Sequence, residues 1–381
     1  MRLRCHRCRC DVPFDATQYH CSCGGTLEIV GGPTFELTGV REGVHTLWRY
    51  RDALPLPGSA APVTLGEGWT PLVDAEWAGC PVKLKLESLN PTGSFKDRGA
   101  ALLVAALRGS GVHQVVEDSS GNAGAALSAY AARAGLRATV YVPAHASSAK
   151  QAQIGVYGAE VVAVPGNRSD TADAVLAEVE KGAVYATHAR SPLYAHGMKT
   201  VAFELWEQCG WRAPSRVILP VGHGGLLLGL DMGFGELLAG GLIDRRPRLV
   251  GVQAEACAPM VRAWEQDETR VEPVNEGETV AGGVRIADPP WGMQVLAAVR
   301  RSGGEMAAVP DDRILAAHKA LAERGFYVEP TSALPAAALE ALSDAETADA
   351  ASPTVLVLTG SGLKSPHSEY SSAERDGVPG P

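Results

Sequence analysis

Aromatic side chains are scarce in this chain, 6% of 381 residues, and no apolar run approaches the ~20 residues that cross a bilayer. The longest, residues 100–107 and the glycine-broken 217–230, stop well short, so no membrane partner is expected. An excess of positive charge is also missing. The 34 lysines and arginines face 43 aspartates and glutamates, a net charge of −9 with a pI near 5.6. Nucleic acid and anionic lipid both demand a basic face, so neither is expected as the main partner. The opening MRLRCHRCRC is basic but is followed by no apolar core, which argues against a secretory leader and for a cytoplasmic address. Cysteine, too, is missing from most of the chain. Five of the eight lie in the first 23 residues, whereas Cys80, Cys209 and Cys257 stand alone, which excludes a disulfide scaffold. What is abundant is apolar residue, 46%, which excludes a disordered chain and leaves room for a large core in two to three domains.

Residues 1–30 form a cysteine-rich module: Cys5-x-x-Cys8, a spacer, then Cys21-x-Cys23 followed by two glycines. Thiolates on two tight turns converge tetrahedrally on one Zn²⁺, so Cys5, Cys8, Cys21 and Cys23 are the candidate metal ligands of a zinc-ribbon-like module. The second knuckle is one residue short, which leaves His20 or Cys10 as a substitute for one thiol. Four protein ligands leave no open coordination position, so the metal is structural. Residues 31–62 read as an extended connector with several glycines and prolines.

From 63 to 365 short β-branched runs alternate with alanine-rich helical stretches: 82–86 then 97–107, 115–116 then 123–134, 138–142 then 146–157, 161–164 then 171–181. The pattern continues with 216–220 then 226–238, 249–253 then 259–265, and a helix 335–342 before a last strand 354–359. Strands separated by helices mean βαβ units, hence an α/β fold with parallel sheets covered on both faces. Ligands in such folds sit at strand carboxyl ends and helix N-termini. The polar tail 366–381 reads as disordered.

Four segments carry chemistry. In Asn90-Pro91-Thr92-Gly93-Ser94-Phe95-Lys96, turn residues deliver a lysine into the first turn of a helix, where the macrodipole disfavours its charge. That is odd for structure and useful for a lysine that must present a neutral amine. In Ser119-Ser120-Gly121-Asn122, hydroxyls and bare N–H groups between strand and helix cradle a carboxylate, and the Asn122 amide can bond a phenolate oxygen. In Gly222-His223-Gly224-Gly225-Leu226, glycines let the backbone approach a phosphate monoester; the loop lacks the lysine and hydroxyl of a nucleotide P-loop. Thr359, ending the last strand in Thr359-Gly360-Ser361-Gly362, presents a hydroxyl where a ligand ring can rest.

An imine-forming lysine, a phenolate partner, a monophosphate cradle and a hydroxyl are together what pyridoxal phosphate requires. The chain resembles the threonine synthase family, within the tryptophan synthase β-like fold (fold type II) of pyridoxal-phosphate enzymes. The resemblance runs from CHRC…CSCGGTLEI through LWRYRDALP, LGEGWTPL, NPTGSFKDRGA, SSGNAGAALSAYAARAGL, VGHGGLLLG and VEPTSALPAAAL to LTGSGLK. It implies two open parallel-sheet domains: a large cofactor-binding one, 63–108 with 205–365, and a small substrate one, 109–204. It implies the Schiff-base lysine at Lys96, the pyridoxal O3′ partner at Asn122, the phosphate loop at Gly222, His223, Gly224, Gly225 and Leu226, and the pyridine-nitrogen partner at Thr359. A hydroxyl opposite that nitrogen makes the ring a weaker electron sink, which suits elimination and replacement over transamination. The reaction implied is amino-acid biosynthesis: a lyase turns O-phospho-L-homoserine and water into L-threonine and phosphate. Ser119 and Ser120 would hold the substrate carboxylate, and a homodimer is the implied assembly.

The chain departs from the family in one region. Where threonine synthases carry Asn-Ser-x-Asn-Pro-x-Arg-x-x-Gly-Gln-Lys-Thr to grip the substrate phosphate, residues 188–200 read HARSPLYAHGMKT. The first Asn, the Ser and the Arg have become His188, Ala189 and Tyr194. His223 stands where asparagine is common and Trp69 where glycine is. Losing a bidentate arginine from a dianion site costs several kcal/mol of charge-assisted bonding. Arg190 offers compensation from four positions away, and His188, Arg190 and Tyr194 are the candidate substrate contacts. Two other readings therefore accompany the first: β-replacement on an O-activated serine, as in cysteate synthase, or a paralogue with another substrate. A third, an inactive scaffold carrying a zinc-ribbon binding module, is disfavoured by the intact lysine, asparagine, glycine loop and Thr359.

Overall fold

Buried β-branched runs and the alanine-rich helices between them build two parallel sheets in the computed structural model, which describes residues 1–58, 60–145, 148–166, 168–342 and 352–364. The tail 366–381 lies outside the described residues. The larger sheet has six strands in the order Glu305–Val309, Arg248–Ala254, Arg216–Pro220, Thr354–Val357, Cys80–Lys85, Leu72–Trp77. Its pairs are parallel except the last, an antiparallel hairpin that turns through Ala78 and Gly79, both at positive φ. The smaller sheet is wholly parallel, ordered Glu160–Val164, Arg137–Pro143, Gln114–Glu117, Val184–Tyr185. This is the expected α/β class. No described helix is long and apolar enough to cross a membrane.

Several elements escaped the sequence reading. The edge strand Leu72–Trp77 is half exposed and carries two acids, so it lacks the continuous β-branched run of a buried parallel strand. The strand Glu305–Val309 reads EMAAV, with one β-branched residue, and the helices Gly292–Ser302 and Asp311–Glu323 flank it. The helix expected at 335–342 starts earlier, at Pro330, where a proline suits the first turn, and it carries Pro335 inside it.

Residues 31–62 are not a loose tether. The scarce aromatics gather there: Phe35 packs on Tyr50, Phe203 and Trp206, and Leu47, Trp48 and Leu54 join the main core. Arg49 forms a bidentate pair with Glu207 (Nη2 to Oε2 2.8 Å), and the Tyr50 hydroxyl donates to the same carboxylate at 2.7 Å.

The element that matters most for the site is the helix Lys96–Gly109, buried along nearly its whole length. Its first turn is held by Arg98, a fully buried guanidinium. Nε and Nη2 donate to Glu87 at 2.7 and 2.6 Å, and Nη1 and Nη2 donate to Glu204 at 2.6 and 2.7 Å. Lys85 adds a 2.8 Å bond from Nζ to Glu204. Glu204 also accepts the backbone N–H of Trp69 at 2.7 Å, which holds that residue in the left-handed region (φ 48°) where a glycine would sit without strain. Breaking one partner of a buried pair leaves an uncompensated charge, which typically costs about 3–5 kcal/mol. Glu204→Gln is expected to lower stability by about that amount, read as a lower urea midpoint. Burial alone would raise the Glu204 carboxyl, yet Arg98 and Lys85 hold it at about 2 against an ordinary 4.5. A depressed carboxyl stabilises the fold fully above the unfolded value and loses that gain as pH falls through the folded one. The urea midpoint of the parent chain should therefore drop between pH 4.5 and 2 more steeply than that of Glu204→Gln.

Candidate active site

The four chemistry-bearing segments meet at the carboxyl ends of the two sheets. A turn with Gly93 at φ 85° precedes the helix, and Ser94 bridges to Gly360 while Phe95 N–H donates to the Thr359 carbonyl at 3.0 Å. These contacts put Lys96 beside the end of the strand Thr354–Val357. Its Nζ lies 5.0 Å from the centroid of the Phe95 ring and 5.8 Å from that of Tyr194. The Thr359 hydroxyl is buried and pairs with Ser332 Oγ at 2.9 Å.

Ser119 and Ser120 follow the strand Gln114–Glu117 and precede the helix Asn122–Ala134, and Ser119 Oγ accepts the Gly121 N–H at 3.3 Å. The Asn122 amide donates to both oxygens of Glu329, at 3.1 Å each. Glu329 in turn donates its own N–H to the Gly360 carbonyl at 3.0 Å, so the second and fourth segments are joined through it. Neither Glu329 nor Ser332 was singled out from the sequence. Their only signal was the Val-Glu-Pro-Thr-Ser stretch, which carries no spacing rule.

The glycine loop leaves the strand Arg216–Pro220 and enters the helix Gly225–Ala239. Gly224 has φ 96°, and a Cβ there would run into Val295; a Cβ on Gly222 would meet the Gly283 carbonyl oxygen at 2.9 Å. Gly225 faces open space and the first N–H groups of this helix have no intrahelical partner, while Leu226 is buried in the core. Such a cradle fits a phosphate monoester. With Lys96, the Asn122 amide and the Thr359 hydroxyl around it, the donor set fits pyridoxal phosphate.

His223 connects this loop to the rest of the site. Its ring lies edge-on to His188, with centroids 5.0 Å apart, and His188 is 6.2 Å from the Tyr194 ring. His188 Nδ1 bonds Glu117 Oε1 at 2.7 Å. Burial pushes the Glu117 carboxyl up to about 8, against the pull of Asp118 and of Lys96 nearby. Asp118 is raised by the same burial and by Glu117, and it accepts the Tyr185 hydroxyl at 2.8 Å. Tyr194 is buried against the lysine-bearing helix: a Cβ on Gly99 would run into its ring, and its hydroxyl donates to the Lys96 carbonyl at 2.9 Å. Arg190 lies within electrostatic reach of Tyr19 in the N-terminal module, and Tyr19 packs on Tyr185 at 5.0 Å. Glu117 and Asp118 lead into the second segment, yet they carry no role legible in the sequence, because no spacing rule ties Glu117 to His188, 71 positions along the chain.

In the N-terminal module, a three-stranded antiparallel sheet (Asp11–Pro13, Arg2–Cys5, Leu27–Val30) brings the thiols of Cys5, Cys8, Cys21 and Cys23 within 4.8 Å of one another. Cys5 to Cys23 is 3.4 Å and Cys8 to Cys21 is 3.6 Å, near the ~3.8 Å edge of a tetrahedron of thiolates around one ion. Cys10 lies beside them, 3.1 Å from Cys8 and 3.5 Å from Cys21. His20 is turned away, its Nδ1 on the Cys21 carbonyl at 2.8 Å.

Comparison with known proteins identifies the family. The family model described as pyridoxal-phosphate dependent enzyme matches residues 63–360. A protein of Methanocaldococcus jannaschii named threonine synthase is 35% identical over 98% of this chain and 95% of its own length. One of the same name from Mycobacterium leprae is 37% identical over 87% of this chain and 92% of its own. Among solved structures, a threonine deaminase of T.th. superposes with a TM-score of 0.65 at 28% identity, covering 81% of this chain and 94% of that one.

Gly224→Ala strains a left-handed residue and drives a methyl into Val295. It is expected to weaken retention of pyridoxal phosphate at least tenfold on dialysis, measured by cofactor absorbance, with the urea midpoint lowered by a smaller margin.

Proposed function

The chain belongs to the pyridoxal-phosphate dependent enzymes, and on that premise we propose that it is a lyase of the threonine synthase type. It catalyses elimination or replacement on a small amino acid with a leaving group at Cβ or Cγ. The observation that carries this reading is Lys96, at the head of a clamped helix whose preceding residue, Phe95, donates its N–H to the Thr359 carbonyl. Gly222, His223, Gly224, Gly225 and Leu226 would hold the cofactor phosphate, Asn122 its O3′ and Thr359 its ring nitrogen. Pyridoxal phosphate, when bound, supplies an electron sink for negative charge at the substrate Cα. Ser119, Ser120 and the neighbouring N–H groups orient the substrate by its carboxylate. The Lys96 amine takes the Cα proton and delivers it later in the cycle.

The reaction of the named relatives, O-phospho-L-homoserine with water to L-threonine and phosphate, is the first reading. A second, a relative with a different leaving group, draws support from a specific observation. Tyr194 occupies the position of the phosphate-gripping arginine and spends its hydroxyl on the Lys96 carbonyl. Division of the chain into a large cofactor-binding unit (63–108 with 205–365) and a small substrate unit (109–204) belongs to the same proposal. So do a structural Zn²⁺ on Cys5, Cys8, Cys21 and Cys23, a cytoplasmic location and a homodimer.

Borohydride reduction followed by peptide mapping is expected to find a pyridoxyl group on Lys96 and nowhere else, and Lys96→Ala to lose it. A modified peptide elsewhere would overturn the assignment. Elemental analysis of the purified chain should give about one zinc per chain, and its removal by a chelator should lower the thermal midpoint.

A further inference from the structure

We propose that a chamber between the N-terminal module and the helices behind the site binds a small carboxylic acid with an aromatic or branched apolar body, and that this ligand acts on the site as an effector. The binding goes beyond the reading above and does not depend on it; only the effect on the site draws on Lys96.

The chamber has a volume of about 810 Å³, inside the ~300–1,000 Å³ range of small-molecule sites. It is separate from the cleft, since none of Lys96, Asn122, Gly224 or Thr359 lines it. Ile29 of the module, Phe35, Leu228 and Met232 of the helix Gly225–Ala239, and Trp291 make its walls largely apolar. Its charges do not cancel. Arg301 grips the buried Asp231 through two bonds, 2.6 and 3.3 Å, and Arg246 lies 3.5 Å from the same carboxylate, so two guanidiniums share one acid. Glu236 is matched by Lys199 at 2.7 Å, which leaves Glu28 against Arg9. Four cations thus meet three carboxylates, histidines aside, in a chain whose overall charge is −9. One surplus positive charge in an apolar enclosure selects one anionic group, and the guanidinium fork suits a carboxylate. His196 supplies a second signal. It lines the same chamber, and its Nδ1 is buried and makes no hydrogen bond. A buried polar atom left in that condition is what a ligand oxygen would satisfy.

Three walls of the chamber lead to the site. His196 belongs to the helix Pro192–Met198, whose Tyr194 hydroxyl bonds the Lys96 carbonyl. Leu228 and Met232 lie on the helix that begins at the glycine loop, with Gly225 as its first residue. Trp291 donates its indole N–H to the Ala189 carbonyl, next to His188. A ligand wedged among these elements bears on the lysine, on the glycine loop and on the 188–200 segment together, and it fixes the module against all three.

The test titrates the full chain, loaded with cofactor, with 3-phenylpropanoate. About one equivalent per chain is expected to bind and to raise the thermal midpoint as its concentration rises. 3-Phenylpropanamide, which lacks the charge, and acetate, which lacks the body, should each bind at least tenfold more weakly. With the six methionine methyls labelled with carbon-13, the Met232 signal, identified by its loss in Met232→Leu, should move with the probe. Arg301→Gln should weaken binding at least tenfold; Arg301 is nearly half exposed and Arg246 still faces Asp231, so this variant keeps its fold. Met232→Trp, which fills the chamber, should abolish binding. Filling the chamber should also change the rate at which borohydride traps the cofactor on Lys96 at least twofold, an effect absent in Met232→Trp. Binding that survives both substitutions, equal affinity for the amide, or a Met232 signal that ignores the probe and follows chain concentration, as under a second copy, would each overturn the site. An unchanged trapping rate on a filled chamber overturns the effector role. Trapping on a residue other than Lys96 strikes the cofactor reading and leaves the chamber standing.

Discussion

The site depends on a guanidinium buried from solvent. Arg98 sits two residues after Lys96, fully buried, with all its short bonds going to Glu87 at the end of the antiparallel edge hairpin and to Glu204 on the helix Thr200–Gln208. A buried pair of this kind is weak evidence of extra stability, because desolvation consumes most of what the attraction gives. Its value lies in geometry. Arg98 has one position that satisfies both carboxylates, so the first helical turn, and with it the Lys96 backbone, has one position as well. Asp97 reinforces the same turn by taking the Thr92 N–H at 2.7 Å and the Thr92 hydroxyl, and burial holds its carboxyl up to about 7.

A clamped backbone beside a short list of polar side chains explains how one scaffold changes its chemistry. The glycine loop, the Ser-Ser turn and Thr359 depend on backbone N–H groups and strand ends, which the fold provides whatever the neighbouring side chains are. The groups that meet a substrate's side chain are different, since each acts only through atoms that no other residue has claimed. In 188–200, His188 bonds Glu117 through Nδ1, Tyr194 the Lys96 carbonyl, Lys199 the Glu236 carboxylate and Thr200 the Gly197 carbonyl. Residues 188–200 thus keep the proline and the Gly-x-Lys-Thr of the resembled family while Tyr194 turns its hydroxyl to the Lys96 carbonyl.

Much of the architecture was legible because it is written in local signals. Runs such as 216–220 and 138–142 are β-branched and bounded by turn residues, and the glycines at 222, 224 and 225 stand where a strand hands over to a helix. The parts that escaped lack such signals. Leu72–Trp77 and Glu305–Val309 lie at the two edges of the larger sheet, where strand sequence is least constrained. Residues 31–62 read as an extended connector because several glycines and prolines punctuate them, while Phe35 and Tyr50 pack there on partners more than 150 positions away. Glu329 and Ser332 reach the site only through tertiary contacts with Asn122 and Thr359, which no spacing along the chain encodes. The Glu117–His188 bond joins two residues 71 positions apart for the same reason.

The N-terminal module follows the same logic at a smaller scale. Its own core is four residues, Leu3, Cys5, Cys21 and Leu27, far too few to fold 30 residues unaided, so four converging thiols are where a metal would contribute most. The module is also no appendage. His6, between two of those cysteines, meets the edge of Trp291 at 6.0 Å, and the Trp291 indole N–H donates to the Ala189 carbonyl at 2.6 Å, one residue from His188. Tyr19 packs at 5.0 Å on Tyr185, whose hydroxyl holds Asp118. Two short chains of contact therefore run from the cysteine cluster to the cluster of Glu117, Asp118 and His188. That cluster is braced from both sides: by the Arg98 clamp through Lys96 and Tyr194, and by the module through Ala189 and Tyr185.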